Sequence, residues 1–237
     1  MNQENLAMLE RALEHLGELD QDVVFVGGAT VDLWITDAAA PEFRPTEDVD
    51  VIVEVSSRRD YYRLEERLRE AGFENDQESG MICRFRYPYP ELVLDVMPTD
   101  ASILGFSNEW LKHAYANSVK YTLPAGQAIK VIPPPFLLAA KLEAFGARGK
   151  SDFYGSRDFG DIVALIDGRE ELVDEVVGSP AELRRYVAGQ LKDLSGHPAF
   201  PNGLEGALPP GPEAPDRVIQ VIRPRVDQLI GIGAASA

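Results

Sequence analysis

The chain reads as an α+β protein, with a small mixed or antiparallel sheet and flanking helices followed by a helical C-terminal half. Two observations predict this class. Before residue 100, short aliphatic runs and period-two alternation recur between helical stretches, whereas from Pro133 onward the apolar spacing is helical. The change divides the chain into an α/β core at 1–132 and a helical region at 133–237.

The elements follow in order. Leu6, Leu9, Leu13 and Leu16 recur at steps of three and four and mark one apolar face of an opening helix. The run 23–26, Val-Val-Phe-Val, reads as a buried strand that Gly27-Gly28 breaks before residues 29–35 start a helix. Residues 38–45 read as a loop. Alternating acid and aliphatic residues over 48–55 then predict a half-buried strand. Ser56 or Ser57 is placed to cap a helix over 58–71, which Gly72 ends. Strands at 81–87 and 92–97 flank the turn signal Pro88-Tyr89-Pro90. In the second half, helices are expected over 136–148, opened by Pro134-Pro135, over 157–167, and over 180–194 with Ser179 as N-cap and Pro180 at the first helical position. The Gly- and Pro-rich stretch 195–215 reads as a surface loop, 216–230 as a last helix, and the small-residue tail beyond it as frayed.

Composition narrows the function. Apolar residues make up 45% and charged residues 26% of 237, the balance of an ordinary globular chain and not of a disordered one. Lys and Arg number 23 against 39 Asp and Glu, a formal net charge of −16, which excludes generic nucleic-acid coating but not a cleft that gathers a few cations locally. The lone Cys83 makes no intramolecular disulfide, the acidic amphipathic N-terminus is unlike a signal peptide, and no apolar run approaches a membrane span. The expected location is cytoplasmic, without a membrane partner.

The chemistry concentrates in three acids and a glycine turn. Asp48 and Asp50 lie two apart on a predicted strand, so both side chains emerge on one face. Two anions this close are unfavourable unless a cation sits between them, and hard divalent ions such as Mg²⁺ prefer carboxylate oxygens. A solvated edge strand would show the same short pattern. Asp95 sharpens the choice, because it stands alone inside the aliphatic run 92–97; it is a ligand, an acid reaching solvent at a strand end, or one paired with Arg84 or Arg86. Gly27-Gly28 at the mouth of a helix offers backbone N–H groups to a phosphate and lets it approach closely. In the second half, Lys141 lies on the apolar helix, either to meet phosphates or on its outer face. Arg148 and Lys150 add positive charge or satisfy helix-end carbonyls, and Asp158 and Asp161 share a helix face beside Arg157.

Val26-Gly27-Gly28, Asp48-Val49-Asp50-Val51 and Leu94-Asp95-Val96 together resemble the signature of the DNA polymerase β-like nucleotidyltransferase superfamily. Lys141-Leu142-Glu143-Ala144, Arg148-Gly149-Lys150 and Arg157-Asp158 through Asp161 resemble the later motifs of AbiEii-like nucleotidyltransferases, the toxins of type IV toxin–antitoxin pairs, to which the MenT-type tRNA nucleotidyltransferases are similar. The resemblance spans residues 23–167. It implies a polymerase β-like nucleotidyltransferase core, with the helical region completing the active-site cleft. It implies NMP transfer from an NTP to an acceptor hydroxyl, with a tRNA 3′ end as acceptor and a cognate antitoxin as partner. Asp48 and Asp50 would each ligate two Mg²⁺ ions, while Asp95 would bind the ion on the acceptor side and take the hydroxyl proton. Gly27, Gly28, Thr30, Lys141, Arg148, Asp158 and Asp161 would hold the nucleotide, with Thr30 supplying a hydroxyl one turn after the glycines and the acids orienting Lys141. The 19 residues between Gly28 and Asp48 exceed the gap usual in the superfamily, a length the loop 38–45 absorbs. Two alternatives keep to these residues: the same chemistry on a small-molecule or protein hydroxyl, and a non-catalytic nucleotide-binding relative. His15, His113 and His197 show no metal-ligand spacing, Trp34 and Trp110 read as core, and the Arg-rich helix 58–71 reads as a salt-bridged solvent face.

Overall fold

A computed structural model describes residues 2–89, 91–105, 108–149 and 151–234. They form two compact units. One gathers the chain up to Leu33 together with Arg44–Pro133, the other Trp34–Phe43 together with the chain from Pro134 onward.

In the first unit, helix α1 (Gln3–Leu16) begins where the Asn2 side chain accepts from the Glu4 and Asn5 N–H groups, and it buries Leu9, Leu13 and Leu16. Strand β1 (Val23–Val26) is buried along its whole length, as a continuous aliphatic run should be. Helix α2 (Gly28–Val31) and the 3₁₀ turn Asp32–Trp34 follow the glycine break. Strand β2 (Val49–Val53) leads to α3 (Arg58–Glu70), which Ser57 caps and Gly72 ends at φ +96°. The short β3 (Glu74–Asn75) precedes β4 (Arg84–Pro88) and β5 (Glu91–Pro98); Pro90 of the expected turn lies outside the described residues. Helices α4 (Ala101–Leu104) and α5 (Glu109–Ala116) and the hairpin of β6 (Val119–Thr122) and β7 (Ala128–Val131) complete the unit.

Among the described residues seven strands form one mixed sheet in the order β3-β4-β5-β2-β1-β7-β6. β2 pairs parallel with β5 and β1 parallel with β7, while the other neighbours run antiparallel. Helix α3 is fixed to the sheet by the fully buried Tyr61, whose hydroxyl donates to the Val96 carbonyl at 2.9 Å.

The second unit contains α6 (Pro134–Arg148), α7 (Arg157–Gly168), α8 (Leu172–Val177), α9 (Ala181–Ser195), α10 (Phe200–Gly206), α11 (Ala214–Arg217) and, after a π-helical turn at Val218–Ile222, α12 (Arg223–Ala234). The expected fraying falls on residues 235–237, outside the described residues. Trp34–Phe43 belongs here because the N–H groups of Thr36 and Asp37 donate to the Gly168 carbonyl, and Arg217 bridges Asp37 and Asp167. Two expectations are corrected. The stretch 195–215 is not a bare loop: Phe200 and Leu204 bury into the unit and form α10, and Gly203 lets that helix pass so close to Phe153 that a Cβ would collide. Ser179 does not cap α9, since its hydroxyl reaches back to the Glu175 carbonyl at 2.8 Å and Pro180 takes the cap position.

Candidate active site

The strand pairings assemble the candidate site in the first unit. Val26 of β1 stands opposite Asp50 of β2, Asp50 beside Asp95 of β5, and Asp95 opposite Arg84 of β4. Directly paired residues project to the same face of a sheet. Three strands therefore carry Asp50, Asp95 and Arg84 in one transverse row.

Asp48 comes one residue before β2, and the loop that delivers it is tied down by the buried Asn5, whose amide donates to the Arg44 carbonyl and accepts from the Thr46 N–H. Its carboxylate reaches the row. Asp48 Oδ2 and Asp95 Oδ2 both lie 2.7 Å from Arg84 Nη2, so the two oxygens are within about twice that distance of each other. Arg84 Nε also meets Asp95 Oδ1 at 2.7 Å, completing a bidentate fork. That fork is the first cause of an Arg84 pKa raised above its ordinary value, outweighing the opposing effect of burial. Of the two partners open to Asp95 from the sequence, the structure selects Arg84; Arg86 instead meets Asp76 and Glu91. A β-hairpin that brings two residues 11 positions apart into register is the signal that separates them.

Gly27 explains the turn beside the row. Its φ of +77° suits glycine, and a Cβ there would run into the Asp50 carboxylate. Thr30, fully buried, donates its hydroxyl to the Gly27 carbonyl at 2.9 Å and so braces the turn.

A second polar cluster lies within the helical unit. Lys141 of α6 is buried, with Nζ 2.7 Å from Asp161 and 3.5 Å from Asp158, both on α7. Arg148 forks onto Asp158 at 2.7 and 3.0 Å. Burial pushes the Asp158 pKa up, but the Arg148 hydrogen bond and the charges of Lys141 and Arg148 outweigh it and hold it below the usual carboxylate value. Lys141 is thus not on an outer face, and the helix that carries it buries most of its apolar residues. Lys150 lies outside the described residues.

The family profile of the nucleotidyl transferase AbiEii toxin, type IV toxin–antitoxin system, matches residues 11–210. The chain belongs to this family. No curated protein matches the chain.

The remaining residues of this AbiEii-family chain fall where packing puts them. His15 stacks on Tyr87 with ring centroids 3.6 Å apart, and His197 lies against Phe153. Cys83 is buried, and burial first and the Asp95 charge second push its thiol up to about 12. Trp34 and Trp110 are buried, with the Arg169 guanidinium over the Trp34 ring. On α3, Arg63 pairs with Asp60 and Arg69 with Glu65 along the helix. Among the described residues no helix is long and apolar enough to cross a membrane, and no three His, Cys, Asp or Glu side chains are already arranged around an ion position. In the row Arg84 stands between Asp48 and Asp95, and the Asp50 carboxylate lies against Gly27. Asp48 and Asp95 nevertheless converge hard carboxylate oxygens on one cation, chemistry that suits a divalent ion.

Proposed function

We propose that this AbiEii-family nucleotidyltransferase moves NMP from an NTP to an acceptor hydroxyl, with the 3′ end of a tRNA as acceptor, and that it acts in the cytoplasm as the toxin of a pair whose antitoxin restrains it. The observation that carries this reading is the convergence of Asp48 and Asp95 on one cation, with Asp50 in register beside Asp95, in a chain of this family. Asp48, Asp50 and Asp95 would hold Mg²⁺, two ions being expected. When bound, Mg²⁺ neutralises triphosphate charge and lowers the pKa of the acceptor hydroxyl.

The chain's own residues supply the rest. Asp95 accepts the hydroxyl proton, being buried in the row and held beside Asp50 by the strand register. The Gly27-Gly28 turn presents backbone to the phosphates, with Thr30 bracing it. Within the helical unit, Lys141 is the cation assigned to phosphate, aimed by Asp158 and Asp161, with Arg148 holding Asp158. Positioning and charge stabilisation carry most of such a reaction.

The test is to incubate the protein with labelled NTPs, Mg²⁺ and total tRNA. Label is expected in RNA, and Asp50→Asn is expected to lower it by about a hundredfold or more while the thermal transition stays cooperative. Label that survives this change overturns the assignment of the row. The net charge of −16 favours a second reading, in which the acceptor is a small-molecule or protein hydroxyl. Label in protein or in a small product selects it, and label nowhere selects a non-catalytic nucleotide binder.

A further inference from the structure

Arg84 is built into the acid row by the backbone. It opens β4 directly opposite Asp95, its N–H donates to the Met81 carbonyl, and its own carbonyl accepts from the Asp76 N–H. The main chain is thus held on both sides, and only the side chain is free to leave. That side chain is 18% exposed, against 5% for Asp95 and 26% for Asp48. One nitrogen touches both acids, so the guanidinium stands where a shared ion would have to bind. Arg86, two residues on, has the same charge but is spent on Asp76 and Glu91.

We propose that Arg84 is the resident counter-cation of the carboxylate row, and that a divalent ion enters the row only by displacing the guanidinium from Asp48 and Asp95. The inference rests on the metal-dependent reading above and adds a competition to it. A fork of two charge-assisted hydrogen bonds on a buried carboxylate does not yield without cost, so the intrinsic affinity of the three acids for the ion is reduced by the work of turning Arg84 out. The row is consequently never left as three facing anions, whether or not an ion is present.

The experiment titrates Mn²⁺, as MnCl₂ and without nucleotide, into the full chain while the signal of free aqueous Mn²⁺ is followed by electron paramagnetic resonance. A thermal-shift series runs alongside. Arg84→Ala is expected to bind Mn²⁺ at least about tenfold more tightly than the unaltered protein, since a positive charge a few ångströms from the ion is removed. It is also expected to melt at a lower temperature without metal and to recover more of the loss with Mn²⁺. Arg84→Lys, which keeps the charge but not the fork, should fall between and serves if the alanine variant does not fold. Arg86→Ala changes net charge equally and should stay within about twofold of the unaltered protein. The inference is overturned if Arg84→Ala binds Mn²⁺ no more tightly than the unaltered protein, or if Arg86→Ala tightens binding as much. Asp95→Asn separates the two layers. If the unaltered protein binds Mn²⁺ and Asp95→Asn weakens it while Arg84→Ala does nothing, only the competition falls. If Asp95→Asn changes nothing, or no variant binds Mn²⁺, the metal reading falls with it.

Discussion

Lys141 and Arg148 both reach Asp158, yet burial makes them unequal. Lys141 is 11% exposed at the side chain and stands 2.7 Å from the fully buried Asp161, whereas Arg148 is 71% exposed. Removing one partner of a buried ion pair costs about 3–5 kcal/mol, and an exposed partner is worth about 1 kcal/mol or less. Urea unfolding should therefore show Lys141→Ala losing several times the stability that Arg148→Ala loses; equal losses would mean that Lys141 is solvated. The acid side adds a sign. Asp158 has a folded pKa below its unfolded value of about 3.9. Its contribution is present above about pH 4 and disappears as pH falls through the depressed folded value. Arg148→Ala weakens that depression, so the acid midpoint followed by far-ultraviolet circular dichroism should move to higher pH.

At the scale of elements, the turn between β1 and α2 offers a controlled comparison. Gly27 and Gly80 both have positive φ, +77° and +71°, but a Cβ at Gly80 meets nothing within 4 Å while one at Gly27 strikes Asp50. Gly80→Ala should cost about 1 kcal/mol from backbone strain alone, and Gly27→Ala clearly more. Equal costs in a thermal melt would show that Asp50 moves aside freely. These strand and turn features were legible because they rest on local rules. The buried run 23–26, the glycine break, the capped helix α3 and the lone acid in β5 each follow from periodicity or from a single residue's conformational preference. What escaped has a physical reason too. The β6–β7 hairpin consists of two four-residue strands around Gly126, with too little alternation to stand out. Helix α10 was hidden by its Pro and Gly residues, although Phe200, Leu204 and Leu208 already show the four-residue step of a buried face. The three acids that the strand register gathers could be read from the sequence as candidates. Which arginine joins them does not follow from the sequence, because that depends on strand register, and register is a property of the folded sheet.

For the molecule as a whole, the excess of acids sets the terms on which a nucleic acid is approached. A protein that neutralises six to ten phosphates loses about 10³–10⁵ in affinity between 50 and 200 mM salt. With a net charge of −16 a continuous basic track is not expected, so the KM for tRNA in the labelling assay should rise by less than about tenfold over that range. A thousandfold rise would reveal such a track. Chain order has its own consequence in the sheet. Arg84 and Asp95 belong to one hairpin only 11 positions apart, whereas Asp50 meets Asp95 across the long parallel crossover that contains α3. Short loops close more readily than long ones, so the deeply placed acid is expected to be matched with its arginine before the earlier pair of acids docks. In that order the chain would avoid the moment at which three repelling groups have to be pressed together unaided.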